Sequence, residues 1–375
     1  ALPFVGQPVQ GFSSMKAVPN RPGHWWVTTD NGFGTRRNSS DALLMFHEVR
    51  VDARAGEVER LRTIFLRDPD RVLPFRIVHE GTETRYLTGA DFDVESIVPV
   101  GDGFWFGDEF GPYLFHADST GRVTRFVETR LDGEVIRSPD NHALQLPASP
   151  TEGVPFRAQR SGGFEGMAAI PDGSRIWAML EKPLFGADGA RPQGADARAL
   201  RILEFDTARG EWTGRSVRYR LEEGATAIGD INMIDERRAL VIERDDAEGD
   251  PSRACREGVT PPACFHNPAR HKRVFVVDLG ATDADGFVRK LGQIDLMQIR
   301  DPDNRARDRG DLGSDVPRDR FSFPFFTIET VAVVDADHIL VGNDNNLPFS
   351  AGRRLDRADN NEFILLRVPE LLRAR

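Results

Sequence analysis

Carboxylates recur in this chain where short apolar runs begin and end. Glu95 opens ESIVPV, and Asp108 with Glu109 closes the GFWF run that follows. Glu165 opens EGMAAI, and Glu181 with Lys182 follows IWAML. Asp230 opens DINMI, and Glu243 with Arg244 follows ALVI. Glu329 opens ETVAVV, and Asn343 with Asp344 follows ILVG. A more divergent copy begins at Ser14 and closes on Asp30 and Asn31. Carboxylate and amide oxygens without clustered Cys or His are hard ligands, which favours Ca2+ over zinc or copper. Lys182 and Arg244 interrupt the acids in adjacent copies. They would hold a phosphate or carboxylate beside a metal, or pair with Glu181 and Glu243.

The elements that carry these residues repeat too. The copies start 81, 70, 65 and 99 residues apart, counted from Ser14, Glu95, Glu165, Asp230 and Glu329. Each reads as four runs of five to eight residues rich in Val, Ile, Phe and Trp, separated by turn residues such as Pro171-Asp172-Gly173, which are strand signals. Four antiparallel strands per repeat predict a β-propeller. A β-sandwich would also supply short strands but has no reason to repeat an acidic start and a polar finish. The expectation is one domain over residues 1–375 with five blades, or six if the insertion 73–93 holds a degenerate one, and insertions near 73–93, 132–162, 245–272 and 300–321. The last copy stops after its third run, Glu362 to Val368, so the segment Leu2 to Gly6 is expected to supply the missing strand and close the ring.

A propeller's first strand lines the channel and its second returns beside it, so the acids are expected to meet at one mouth. The expected metal ligands are Asp30, Glu95, Asp108, Glu165, Glu181, Asp230, Glu243, Glu329 and Asn343. Glu165, Glu329, Lys182 and Arg244 are the candidate catalytic groups. Like charges held this close repel and raise one another's pKa, so either some are protonated or a cation, taken to be Ca2+, neutralises them.

Composition narrows the function. A net charge of −10 gives no electrostatic basis for sequence-independent nucleic-acid binding. No apolar run approaches the ~20 residues of a membrane span. With no Gly-x-Ser-x-Gly elbow, Walker loop or dinucleotide fingerprint, the chain shows none of the common hydrolase or nucleotide motifs. Asp301 to Asp311 lacks the order of a helix-flanked calcium loop. The two cysteines, Cys255 and Cys264, lie nine apart, suited to a small-loop disulfide rather than zinc. The first residue is Ala1 with no leader after it, which fits a mature exported form or a trimmed chain. A secreted or periplasmic monomer is expected.

The segments Thr29 to Gly32, Gly107 to Tyr113, Gly163 to Met167, Ile328-Glu329 and Gly342 to Asn346 together resemble the phytase-like family described as "esterase-like activity of phytase". The resemblance runs from about Gly11 to Val368. It implies a propeller, export and hydrolysis of a small-molecule phosphate ester or ester. Two classes follow: a Ca2+-dependent phosphate-ester hydrolase, with an esterase or lactonase as its variant, or a non-catalytic propeller stabilised by Ca2+ and binding a partner through the 245–272 insertion.

Overall fold

The computed structural model describes residues 7, 9, 11–144, 156–256, 258, 264–306 and 319–375. The first blade contains β1 (Phe12–Ala17), β2 (His24–Thr29), β3 (Met45–Asp52) and β4 (Glu57–Phe65). The second contains β5 (Val94–Val100), β6 (Gly103–Asp108), β7 (Tyr113–Asp118) and β8 (Val123–Glu128), followed by a small pair, β9 (Arg130–Leu131) with β10 (Glu134–Val135). The third contains β11 (Phe164–Ala169), β12 (Arg175–Leu180), β13 (Ala199–Asp206) and β14 (Glu211–Arg220). The fourth contains β15 (Ala227–Met233), β16 (Arg238–Arg244), β17 (Lys272–Thr282) and β18 (Val288–Asp295), and a second small pair joins β19 (Ile299–Arg300) to β20 (Arg320–Phe321). The fifth has three described strands, β21 (Thr327–Val333), β22 (His338–Asp344) and β23 (Phe363–Arg367), before the short helix α1 (Pro369–Leu372).

Each inner strand packs on the next, and β21 packs on β1, so five blades close a β-propeller. No sixth blade intervenes, because β1 touches β5 directly; the 73–93 stretch makes only isolated bridges, Leu43 with Thr88 and Arg67 with Tyr86. The proposed closing strand at 2–6 lies outside the described residues.

The core follows from strand alternation. Successive side chains point to opposite faces, so β2 sends Trp25 into the cluster shared with the fifth blade and Trp26 into the one shared with the second. A hydrophobic cluster of this kind fills every blade interface. Between the first two blades it is aromatic, with Phe46 4.8 Å from Phe104 and 5.3 Å from Phe106 between ring centroids. α1 buries Leu371 and Leu372 against the fourth and fifth blades.

Strand direction alternates, so turns joining first to second and third to fourth strands lie at one end and span between two and six residues. Every long connection, including 66–93, 129–163, 245–271 and 296–326, emerges at the opposite end. That end is the one where the acids lie.

One buried group off this axis sets an acid limit on stability. His47 on β3 is 0 % exposed, with Nδ1 2.9 Å from Thr63 Oγ1 and no partner for Nε2. Burial, aided by Arg60, depresses its pKa from 6.5 to about 3. The unfolded chain therefore binds the extra proton first, and stability is lost as pH falls below 6.5 towards 3. At pH 4.5 this group alone is expected to cost roughly 2–3 kcal/mol. Urea melts at pH 7 and 4.5 check it: His47→Gln should lose about that much less than the parent. Equal losses would contradict it.

Candidate metal centre at the channel mouth

The mouth is built by the same irregularity in every blade. The ladder between first and second strands slips by one residue between Phe12 and Ser14, Val94 and Ser96, Phe164 and Gly166, Ile228 and Ile231, and Ile328 and Thr330. A bulge adds one residue to one strand and re-aims the side chains around it. The inserted residue is Ser13, Glu95, Glu165 and Glu329 in four blades. In the fourth, counting from the Ile228–Glu243 pair puts Gly229 there. A side chain has no room at Gly229: a Cβ would lie 1.9 Å from the carbonyl oxygen of Ile328.

The same pairing sets which second-strand residue reaches the mouth. Phe12, Val94, Phe164, Ile228 and Ile328 pair with Thr29, Asp108, Leu180, Glu243 and Asn343. The residues that follow these partners are Asp30, Glu109, Glu181, Arg244 and Asp344. Since one step along a strand changes the face a side chain meets, Asp108, Glu243 and Asn343 turn away from the mouth, contrary to expectation.

Eight carboxylates thus gather, from Asp30, Asp93, Glu95, Glu109, Glu165, Glu181, Glu329 and Asp344. All but Asp30 are less than a tenth exposed. Asp93, Glu95 and Glu109 bring one oxygen each within 4.8 Å of one another, and so do Glu109, Glu165 and Glu181. Glu109 Oε1 and Glu165 Oε1 are buried with no hydrogen-bond partner. Gly163 lets the third blade approach this closely, since a Cβ there would stand 2.5 Å from Glu109 Cα.

Burial first and neighbouring carboxylates second push Glu95, Glu109, Glu165, Glu329 and Asp30 well above the usual carboxylate range. Burial lifts Asp93 and Asp344 to about 6. Two cations partly offset this charge, and both meet Glu181: Arg244 Nη2 lies 3.0 Å from its Oε1 and Lys182 Nζ 3.1 Å from its Oε2. Arg244 also reaches Asp246 at 3.0 Å and stands 4.0 Å from Glu329, while Lys182 donates to the Ser161 carbonyl. Burial works against both charges, but the surrounding carboxylates outweigh it and raise both pKa values.

Of the residues expected as ligands, Asp30, Glu95, Glu165, Glu181 and Glu329 meet here; four do not. Asp108 accepts from the amides of Asp93 at 2.8 Å and Gly111 at 2.6 Å, holding the loops around the mouth. Glu243 is held by Tyr219 Oη and Lys290 Nζ, each at 2.5 Å, by His271 Nε2 at 3.1 Å and by the Glu222 amide; its partner is Lys290 rather than Arg244. Asn343 accepts from the Glu362 amide and donates to the carbonyls of Asp344 and Asn360. Asp230 lies past the bulge and pairs with Lys16 from the first blade, at 3.1 Å. That pair crosses between non-adjacent blades, and Asn232 beside it donates to Met15 and Val331. Together they floor the channel.

Asp93, Glu109 and Asp344 were not on the expected list. Asp93 lies in the loop that enters β5, outside the repeating pattern; the other two each sit one residue past an expected ligand.

Residues 7–347 match the model of the phytase-like family, described as "Esterase-like activity of phytase". An "Uncharacterized secreted protein" of Arthroderma benhamiae is 28% identical over 123 residues, covering 30% of this chain and 24% of that one; the match therefore spans about a quarter of that relative's length. Among solved structures, a GH43 β-1,3-galactosidase with galactodeoxynojirimycin aligns at a TM-score of 0.45 and 10% identity, over 96% of this chain and 90% of its own. The hydrazine synthase of Kuenenia stuttgartiensis aligns at 0.32 and 9%, over 92% of this chain and 80% of its own.

Proposed function

The chain belongs to the phytase-like family, and from that premise we propose an exported, Ca2+-dependent hydrolase of phosphate esters acting at the acidic mouth of the propeller. The observation that carries this is the pair of buried, partnerless oxygens, Glu109 Oε1 and Glu165 Oε1, inside an all-oxygen cluster flanked by Lys182 and Arg244. Buried polar atoms normally find partners, and an oxygen-only donor set fits a hard divalent cation. Export is supported by the Cys255–Cys264 disulfide, a bond that persists in oxidising compartments, and by the secreted relative. No helix among the described residues is long and apolar enough to cross a membrane.

Asp93, Glu95, Glu109, Glu165 and Glu181 would hold the ion, which supplies Lewis-acid polarisation of a phosphoryl oxygen. Lys182 and Arg244, fixed by Glu181, would offset the negative charge that grows on the transferred group. The Glu329 carboxylate, 4.0 Å from Arg244 and outside both acid triads, would take the proton of the attacking water.

A panel of phosphate monoesters, diesters, carboxyl esters and lactones, assayed in Ca2+ and in EDTA, tests this. Turnover of a phosphate ester in Ca2+ alone is expected; Ca2+-dependent turnover confined to the carboxyl esters or lactones would reassign the substrate. The near-complete burial of the acids favours a second reading, a non-catalytic binding module whose Ca2+ is structural. Ca2+-dependent stabilisation without turnover of any substrate would select it.

A further inference from the structure

The two acid triads at the mouth share a member. Asp93, Glu95 and Glu109 form one and Glu109, Glu165 and Glu181 the other. Two oxygens bound to one Ca2+ at 2.3–2.6 Å lie at most about 5 Å apart, and the oxygens of each triad lie within 4.8 Å of one another, close enough for each triad to share one ion. Glu109 has two carboxylate oxygens and stands between the triads, with Oε1 buried and free of any hydrogen bond. Glu165 Oε1 is likewise buried and partnerless, within the second triad. We infer that the mouth holds two divalent cations rather than one, bridged by the Glu109 carboxylate, with Asp93 and Glu95 completing one site and Glu165 and Glu181 the other.

The charges agree with that count. Eight carboxylates against Lys182 and Arg244 leave six negative charges if all are ionised. One divalent ion would leave four in a setting where each carboxylate is nearly excluded from water, and two ions would leave two. The partition also follows the architecture. Asp93, Glu95 and Glu109 come from the strands and loops of the second blade, whereas Glu165 and Glu181 come from β11 and the end of β12 in the third. The bridge therefore ties adjacent blades across their interface, where Gly163 admits the Glu109 backbone. Lys182 faces the second triad through Glu181, 3.1 Å away, so a phosphate held there would meet a cationic side chain beside the carboxylates that would hold the ion.

This inference rests on the mouth being the cation site proposed above, and counting ions separates the two claims. Equilibrium dialysis against Ca2+ should give two ions per chain for the parent protein. Glu95→Gln should retain one, because the Glu109, Glu165 and Glu181 triad survives. Glu109→Gln should weaken both by roughly 100-fold or more, beyond the 10–100-fold that losing an outer-shell partner costs. Melting in EDTA confirms that each variant is folded; if Glu109→Gln is not, the single ion retained by Glu95→Gln decides the question. One ion in the parent, or two ions of which Glu109→Gln removes only one, overturns the bridged pair but leaves the hydrolase reading standing. No bound Ca2+ overturns both.

Discussion

Glu165→Gln is expected to lower Ca2+-dependent turnover by about 10²–10³-fold, the scale of losing one preorganised electrostatic contact. In EDTA the same substitution should raise the melting temperature. Both follow from one fact. Burial and the carboxylates of Glu329, Glu181 and Glu109 all disfavour a negative charge at Glu165, so a neutral amide relieves the metal-free protein while depriving the ion of a ligand. A gain of about 1 kcal/mol would appear as roughly 1–2 °C in a chain of this length. For each ion bound, the parent should gain about 5 °C from Ca2+ at a thousand times its dissociation constant, where mass action contributes about 4 kcal/mol per site. The variant should forfeit most of the share that belongs to the Glu109, Glu165 and Glu181 site. Thermal melts in EDTA and in Ca2+, beside initial rates on the responding ester, give the three readings. A variant that keeps the full Ca2+ shift would remove Glu165 from the ligand set.

Lys16→Met is the second large effect, and it falls on the fold. Lys16 Nζ lies 3.1 and 3.3 Å from the two oxygens of Asp230, with 6 % and 0 % of the respective residues exposed. Burial lowers the lysine's pKa against the pull of Asp230, and burial raises that of Asp230 to about 6 against the pull of Lys16. Removing only the lysine leaves an unpaired carboxylate in the channel, a loss of about 3–5 kcal/mol. Chemical denaturation should show it. Adding Asp230→Asn to Lys16→Met should restore part of the loss, because the buried charge is gone, while the single amide oxygen can replace only one of the two carboxylate oxygens that now accept from Ile231 at 2.8 Å and Val331 at 3.1 Å. The double variant should bind Ca2+ as the parent does, since Asp230 stands apart from the cluster. A double variant as unstable as Lys16→Met would mean that the ion pair is not the source of the loss.

Much of this architecture could be read directly from the chain. The run His24 to Thr29 coincides with β2, and Tyr113 to Ala117 falls within β7, because alternating bulky and β-branched residues bounded by turns leave little else to form. The mouth was legible as a place but not residue by residue. Aligning the copies by their first acid set Asp230 beside Glu95, and only the strand pairing shows that Gly229 holds that position. A bulge changes the parity of everything after it, and nothing in the residue types announces where the extra residue falls. That one step exchanged Asp108 for Glu109 and Asn343 for Asp344. In the fourth blade it put Arg244 where an acid was expected. Asp93 was hidden differently, because it belongs to the loop entering β5 and not to the repeating pattern. The common emergence of the long connections at the acid-bearing end depends on strand direction, which a string of apolar runs does not display.

The floor of the channel also bears on how the ring is made and lost. Lys16 and Asp230 are 214 residues apart, and the amide of Gly11 reaches Asn345 across 334. Contacts this distant in sequence repay their loop-closure entropy only after the intervening blades are in place. They therefore belong to the last stage of folding, and interactions absent from the transition state chiefly govern the rate of unfolding. The Lys16–Asp230 pair is then a latch: once it has closed, it lengthens the lifetime of the assembled ring while leaving the speed of assembly almost untouched.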